Sequence, residues 1–310
     1  MKKIIFLLTI GVFSNFLVAQ ERLASNSFRK VPAKELKTFM QNEAFYWSKV
    51  ATILKEKGQI TSWAIRVRRG GMLATEPNVS TRIGIGSWEN YENLGKNYAA
   101  AEAEAKSQMD PEKIALLEES LKQDKFEFAS IITNTNELIW SDKQPSFKYA
   151  VYNYSKANNA AQYLSEESKI MKPFFEKLMK QGKTKMKGWA TTSVLSPAGY
   201  EYPYNAYTVD FYDNISDVFS PFNSDDITWP KEMASLGELK TAGFWKRVIW
   251  QRVMYLNQNN ELVGVISEGD CLKQISESRY YNMPMQDQTI EKYMVKNVDT
   301  IYFNTPTTIF

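Results

Sequence analysis

Apolar residues along this chain switch between two periods, and the switches mark its elements. Leu36, Phe39, Met40, Ala44, Trp47, Val50, Ala51 and Leu54 recur at the three- and four-residue spacing of one helix face. Pro32 suits a first helical turn, and Gly58 suits the position just past a helix end. "SWAIRVRR" then alternates, placing Trp63, Ile65 and Val67 on one face and Arg66 and Arg68 on the other. Gly70 and Gly71 predict a turn, after which "VSTRIGIGSW" alternates again and sets Arg82 opposite Ile83. A polar, alanine-rich stretch leads into "DPEKIALLEESLKQ", where Asp110 is an N-cap and Pro111 a first helical residue. "FEFASIIT" closes this region as a strand.

The same order returns further on. "FKYAVYNYS" reads as a strand. A helix follows over about residues 156–181, with Ala161, Leu164, Met171, Phe174, Phe175, Leu178 and Met179 on its buried side. Pro173 falls inside it and predicts a kink or a restart, since an interior proline costs about 3 kcal/mol. "GWATTSVL" and "AYTVDFY" predict strands, a helix starts near Pro230, and "RVIWQRVMYLN" predicts a last strand. The asparagine-rich "NTNEL" and "NQNNEL" both read as hairpin turns into a further short strand.

The return has a fixed interval. Gly58 and Gly182, "WENY" and "YDNI", and the two "NEL" phrases are each 124 residues apart, while Trp63 and Trp189 are 126 apart. Three anchors at one offset predict an internal duplication. Each copy has the order β-α-β-β-α-β, a split βαβ unit whose sheet carries helices on one face only. A tandem copy supplies the cover for the other face. The expected fold is therefore α+β: two tandem ferredoxin-like units packed as a pseudo-dimeric barrel within one chain. The boundaries are 1–19 for a leader, 20–140 and 147–266 for the units, and 267–310 for a C-terminal extension. In that extension "TIEKYMVKN" and "DTIYFN" predict a short helix and an edge strand.

A helix ending in "EKG" or "KQG", then "SWA" or "GWA" opening a strand, then a hairpin, resembles the dimeric α+β barrel superfamily. That group includes the antibiotic-biosynthesis-monooxygenase-like and NIPSNAP-like domains, and the resemblance runs over roughly residues 28–266. It implies a cleft between sheet and helices that holds apolar or aromatic ligands. It also implies either cofactor-independent monooxygenase chemistry or a haem function. The haem-handling members use a histidine, and this chain has none.

Composition narrows the chemistry further. Among 310 residues there is no histidine, which removes Ser-His-Asp and Cys-His catalysis and histidine-ligated zinc or haem. The single cysteine, Cys271, permits no internal disulfide and reads as structural. The net charge of +3 is spread along the chain and argues against nucleic acid. No phosphate loop or metal-ligand spacing is present: "RRGG" lacks the "GK[ST]" ending, and the G-x-G of "RIGIGSW" lies within an alternating strand. No cofactor is expected. Lys2 and Lys3, the apolar run from Ile4 to Phe13, and Ala19 predict a cleaved signal peptide and export to the periplasm or beyond. No other segment is long and apolar enough to span a membrane.

The candidate site residues lie in the second copy. Asp210 sits within an apolar, tyrosine-rich strand, where burial raises a carboxyl pKa and a cross-sheet Lys or Arg lowers it. Tyr212 shares its strand face, two residues on. Trp189 begins the preceding strand, as Trp63 does in the first copy, and both suit helix-to-sheet packing as well as a ligand wall. Tyr200, Tyr202, Tyr204, Tyr207 and Tyr212 crowd the second hairpin. The expected ligand pocket is lined by Trp189, Tyr207, Asp210 and Tyr212, with Phe174 and Phe175 from the helix. Arg66, Arg68 and Arg82 are expected on a solvated strand face, the alternative being the inside of a barrel. The expected function is an exported, non-catalytic protein holding a small apolar or aromatic ligand. The alternative is a cofactor-independent monooxygenase-like enzyme acting on an aromatic substrate.

Overall fold

A computed structural model describes residues 22–71, 75–123, 126–143, 146–199 and 201–264. The expected leader at residues 1–19, Cys271 and the expected helix and edge strand after residue 267 lie outside the described residues.

Among the described residues nine strands form one antiparallel sheet: β1 (Leu23–Lys30), β2 (Ser62–Arg69), β3 (Val79–Gly86), β4 (Glu127–Trp140), β5 (Tyr149–Ala157), β6 (Gly188–Ser196), β7 (Ala206–Tyr212), β8 (Lys240–Leu256) and β9 (Leu262–Val263). Their order is β2-β3-β1-β4-β6-β7-β5-β8-β9, and β2 also pairs with β8, so the first eight strands close on themselves. Closure removes the exposed edges of those strands. Helices α1 (Leu36–Asn42) and α2 (Ser48–Glu56), with a π-helical turn at Glu43–Trp47 between them, cover the outside of the sheet at β2. Three further helices follow β3: α3 (Trp88–Glu92), α4 (Leu94–Ser107) and α5 (Pro111–Gln123). The second half has one long helix, α6 (Ala160–Lys180), and two short ones, α7 (Ile215–Phe219) and α8 (Met233–Glu238).

The two main helices end alike. Gly58 has φ +68° and Gly182 has φ +65°, a left-handed conformation that glycine adopts without strain. The Gly58 amide donates to Lys55 and the Gln59 amide to Leu54, while the Gly182 and Lys183 amides donate to Met179 and Leu178. Both sets satisfy last-turn carbonyls in the same paired geometry. At the other end of α6, the Asn159 side chain caps the helix by accepting from the Gln162 amide at 3.1 Å. Pro173 does not restart α6, which runs unbroken through it. Burial of Met171, Phe175 and Leu178 around the proline holds the helix despite the missing N–H.

Two other expectations are corrected. "NTNEL" is not a turn: Asn134 to Leu138 lie inside the continuous strand β4, with a bulge between Thr135 and Glu137. That strand has partners over its whole length, β1 along its first part and β6 along its second, so no chain reversal is needed. "NQNNEL" does turn, at Asn260 with φ +62°, into β9. The arginines are not on a solvated face. Arg66 is 3% and Arg68 7% exposed, because the face opposite Trp63 and Ile65 points into the closed barrel. Phe28, Ile131, Tyr152, Tyr154, Tyr207 and Trp250 pack in that interior. An eight-stranded barrel is just wide enough to be filled in this way.

Candidate functional site

β5, β6 and β7 send alternate residues to opposite faces. Tyr149, Val151, Trp189 and Tyr212 face α6 and pack with Met171, Phe175 and Leu178. Tyr152, Tyr154, Ala190, Tyr207 and Val209 face the barrel interior. Of the six residues expected to line a pocket, five therefore gather on the α6 side: Trp189, Asp210, Tyr212, Phe174 and Phe175. Tyr207 stands on the opposite face of the sheet, one residue out of phase with Asp210. Trp189 and Tyr212 are almost fully buried, at 1% and 2% exposure. The Phe175 ring lies 5.6 Å from Trp189, and Phe174 lies 5.3 Å from Phe175 and 5.0 Å from Trp229. Trp229 also meets Phe222 edge-on at 5.5 Å and is 41% exposed. A run of aromatic rings thus leads from the surface to the sheet.

Polar chemistry is concentrated beside this run. Asp210 pairs across the ladder with Trp189 on one side and Val151 on the other. Its carboxylate accepts from Asn153 Nδ2 at 3.0 Å, and the same amide reaches Thr208 Oγ1 at 3.3 Å. Burial pushes the Asp210 pKa up to about 6, against the lowering effects of the Asn153 hydrogen bond and of Arg247. Glu167, on α6, is 7% exposed, and burial pushes its pKa up to about 7. Lys240 draws that value down, Asp210 raises it as a like charge, and the adjoining Tyr163 hydroxyl lowers it. Burial and the nearby Glu167 likewise hold the Tyr163 phenol well above its usual range. The Tyr163 hydroxyl lies against Ser155 and Glu167, yet neither it nor the Ser155 hydroxyl closes a hydrogen bond of good geometry. Both residues are fully buried. Buried hydroxyls are almost always paired, so two unpaired ones next to a carboxyl of raised pKa stand out among the described residues.

At the far end of β7, an open groove of about 350 Å³ runs past Met179, Lys185, Lys187, Asp213 and Asp217. Its charges are paired with one another, Lys187 with Asp213 at 3.3 Å and Lys185 with Asp217 at 3.8 Å. No group of three or more His, Cys, Asp or Glu residues able to hold a metal occurs among the described residues. Among the same residues no helix is long and apolar enough to cross a membrane.

The polar partners of Asp210 went unread in the sequence, although one signal was there. Glu167 lies on the apolar stripe of α6, three residues after Leu164 and four before Met171. A carboxylate on such a stripe must be buried or force the helix off the sheet. Glu43 does the same in the first half, 124 residues earlier, and is 4% exposed. It lies near the half-buried Tyr98, and Tyr46 donates to Glu102 at 3.2 Å.

No family model and no curated protein matches this chain. Among solved structures it is similar to an anthrone oxidase-like protein, with a TM-score of 0.46, 13% identity, and coverage of 80% of this chain and 97% of the other. It is also similar to a proposed monooxygenase from Lactobacillus acidophilus (TM-score 0.42, 10% identity, 80% and 98% covered). A third similar structure is a heme-binding protein from Thermus thermophilus (TM-score 0.40, 10% identity, 76% and 92% covered). The likeness is one of overall α+β barrel arrangement. At these values it carries no argument about residues or reaction.

Proposed function

We propose that the protein is a cofactor-independent oxygenase acting on an acidic aromatic compound in the layer between α6 and the sheet. One observation carries this reading: the buried Glu167, its pKa raised to about 7, lies against the Tyr163 hydroxyl, which with that of Ser155 is left unpaired, and Asp210, raised to about 6, is near enough to act on Glu167 as a like charge. A surface carboxylate is too weak a base to take a proton from a hydroxyaromatic carbon acid, and burial corrects this. The carboxylate removes a proton from a ring-activated CH₂ group. The resulting carbanion passes an electron to dioxygen, and the radical pair joins as a peroxide. The O–O bond then breaks with loss of water, so that R₂CH₂ + O₂ gives R₂C=O + H₂O. Every electron comes from the substrate, which is why neither histidine nor a bound redox group is required. The Tyr163 and Ser155 hydroxyls donate to the substrate's oxygen. Trp189, Phe174, Phe175 and Tyr212 flank its rings, and Tyr207 supports the sheet from within the barrel.

The wider reading joins this site to the repeat. Residues 20–140 and 147–266 are tandem ferredoxin-like units of one duplication. Their matching helix ends and their strand orders, β2-β3-β1-β4 and β6-β7-β5-β8, support it. Residues 1–19 are a cleaved leader for export. A second reading, an exported protein that holds an aromatic ligand without turning it over, is favoured by the close packing of Trp189 on Phe175.

Oxygen uptake with a panel of hydroxyaromatic ketones and hydroquinones tests the proposal, with product mass reporting two hydrogens replaced by one oxygen. Turnover that falls about 100-fold or more in Glu167→Gln or Asp210→Asn is expected. Quenching of tryptophan fluorescence by the same compounds without oxygen uptake would favour the binding reading. Neither response would overturn both.

A further inference from the structure

The barrel interior carries a charge imbalance that the site beneath α6 does not use. Arg66 projects inward from β2 and is 3% exposed. Its Nη1 donates to the Tyr152 hydroxyl, and its Nη2 donates to Asn26 Oδ1 at 2.9 Å and Ser80 Oγ at 3.0 Å. The guanidinium also lies 5.1 Å from the centre of the Tyr152 ring. Each of these partners is a neutral side chain. The Arg66 Nε is buried and donates to nothing. Arg82, on the adjacent strand β3, reaches the same Asn26 oxygen at 3.5 Å. Two guanidinium groups therefore share one amide oxygen, and neither has a carboxylate partner among the described residues.

The remaining interior groups do not supply the missing negative charge. Glu76 is held by Arg68 at 2.9 Å and also by Lys246. Tyr207 stays protonated: burial pushes its pKa up to about 12 even though Arg82 and Arg66 pull it down. Burial likewise holds Tyr154 well above its usual range. A guanidinium does not give up its proton in a protein. A buried charge without a counter-charge is among the costliest arrangements a fold can hold.

We propose that the barrel interior binds one small monovalent anion, of halide size, at Arg66 Nε and the facing guanidinium of Arg82. The size follows from the filling of the interior by Tyr152, Tyr154, Tyr207 and Trp250, and from Arg66 Nε being the one buried guanidinium nitrogen among the described residues that has no acceptor. Asn26 and Arg82 belong to β1 and β3, Arg66 to β2 and Tyr152 to β5. The ion therefore ties strands of the two halves together around one charge, and its effect is on the stability of the barrel.

Thermal unfolding of the full chain in sodium chloride against sodium gluconate, at constant ionic strength, reads the effect. The midpoint should rise by roughly 5 °C between about 1 and about 100 mM chloride, as mass action requires of a ligand that binds only the folded state. Arg66→Met should abolish the rise, and Arg82→Met should weaken it. No rise in the parent protein, or an equal rise in Arg66→Met, would overturn the proposal. If Arg66→Met fails to fold, crystals of the parent soaked in bromide decide the matter. An anomalous peak within hydrogen-bond reach of Arg66 Nε is expected, and its absence there would overturn the site.

Discussion

The two halves of the barrel set a tryptophan at the same place, just past a glycine-ended helix, and differ in what stands beside it. Trp63 pairs across the ladder with Ile83, whereas Trp189 pairs with Asp210. Each half also buries a glutamate on the apolar stripe of its helix, Glu43 and Glu167. In the first half Glu43 lies with Tyr98 beneath a second layer of helix, where Ala101 and Ala105 of α4 pack closely on α2. In the second half α7 and α8 are too short to form such a layer. The cover there is an aromatic lid of Phe174, Phe222 and the half-exposed Trp229. The scaffold positions are shared, and each half sets a second carboxylate near its buried glutamate, Glu102 in the first and Asp210 in the second, but among the described residues the two unpaired hydroxyls and the thinner cover belong to the second half. Chemistry on a shared frame is set by the few positions where the two halves differ.

The largest test of this comparison is at the shared position. Trp63→Ala and Trp189→Ala should each lower the unfolding free energy by about 3–5 kcal/mol in urea titrations, because both rings are packed in cores. A loss below about 1 kcal/mol at Trp189 alone would make that ring a site wall rather than a packing group.

The carboxyls come next. The pKa values of Asp210 and Glu167 are raised from 3.8 and 4.5 to about 6 and about 7, so the native state holds protons that the unfolded chain releases. Stability is therefore greatest below about pH 4 for these two groups and falls as pH rises past about 7, by roughly 6 kcal/mol in all. The fall should flatten in the double variant Asp210→Asn, Glu167→Gln. Placing the first half's residue in the second sharpens the contrast: Asp210→Ile should raise stability at pH 8 by about 2 kcal/mol, since it removes a half-buried charge. A stability loss there would mean that Asp210 holds the sheet together.

The smallest effect should be the same in both halves. Nothing lies within 4 Å of a Cβ added at Gly58 or Gly182, so Gly58→Ala and Gly182→Ala should each cost only the left-handed backbone strain, about 1 kcal/mol. Unequal losses would show that the two helix ends are not equivalent.

Periodicity made the helix faces, most strands and the glycine stops legible, because each depends on residues within one or two turns. It did not reveal that "NTNEL" continues a strand while "NQNNEL" turns, since the difference lies in whether β6 is present to pair with the chain. Nor did it settle the face of Arg66 and Arg68: alternation sorts residues into two faces, and only closure of the sheet decides which face is inside. Asp210, Trp189 and Tyr212 were legible as neighbours because they occupy adjoining strands of one hairpin. Glu167 was missed because α6 brings it within electrostatic reach of Asp210 from 43 residues away, and Tyr163 and Ser155 because they join the site through Glu167 rather than through the hairpin.

The central claim is that the second half keeps carboxyls ready to exchange protons near neutral pH. Infrared difference titration of the protonated-carboxyl stretch tests it directly. The account expects two buried carboxyls to lose their protons between about pH 5.5 and pH 7.5 in the parent protein. One of them should disappear in Glu167→Gln and the other in Asp210→Asn. If every carboxyl band is gone by about pH 5, or if the two bands survive those substitutions, the account is contradicted.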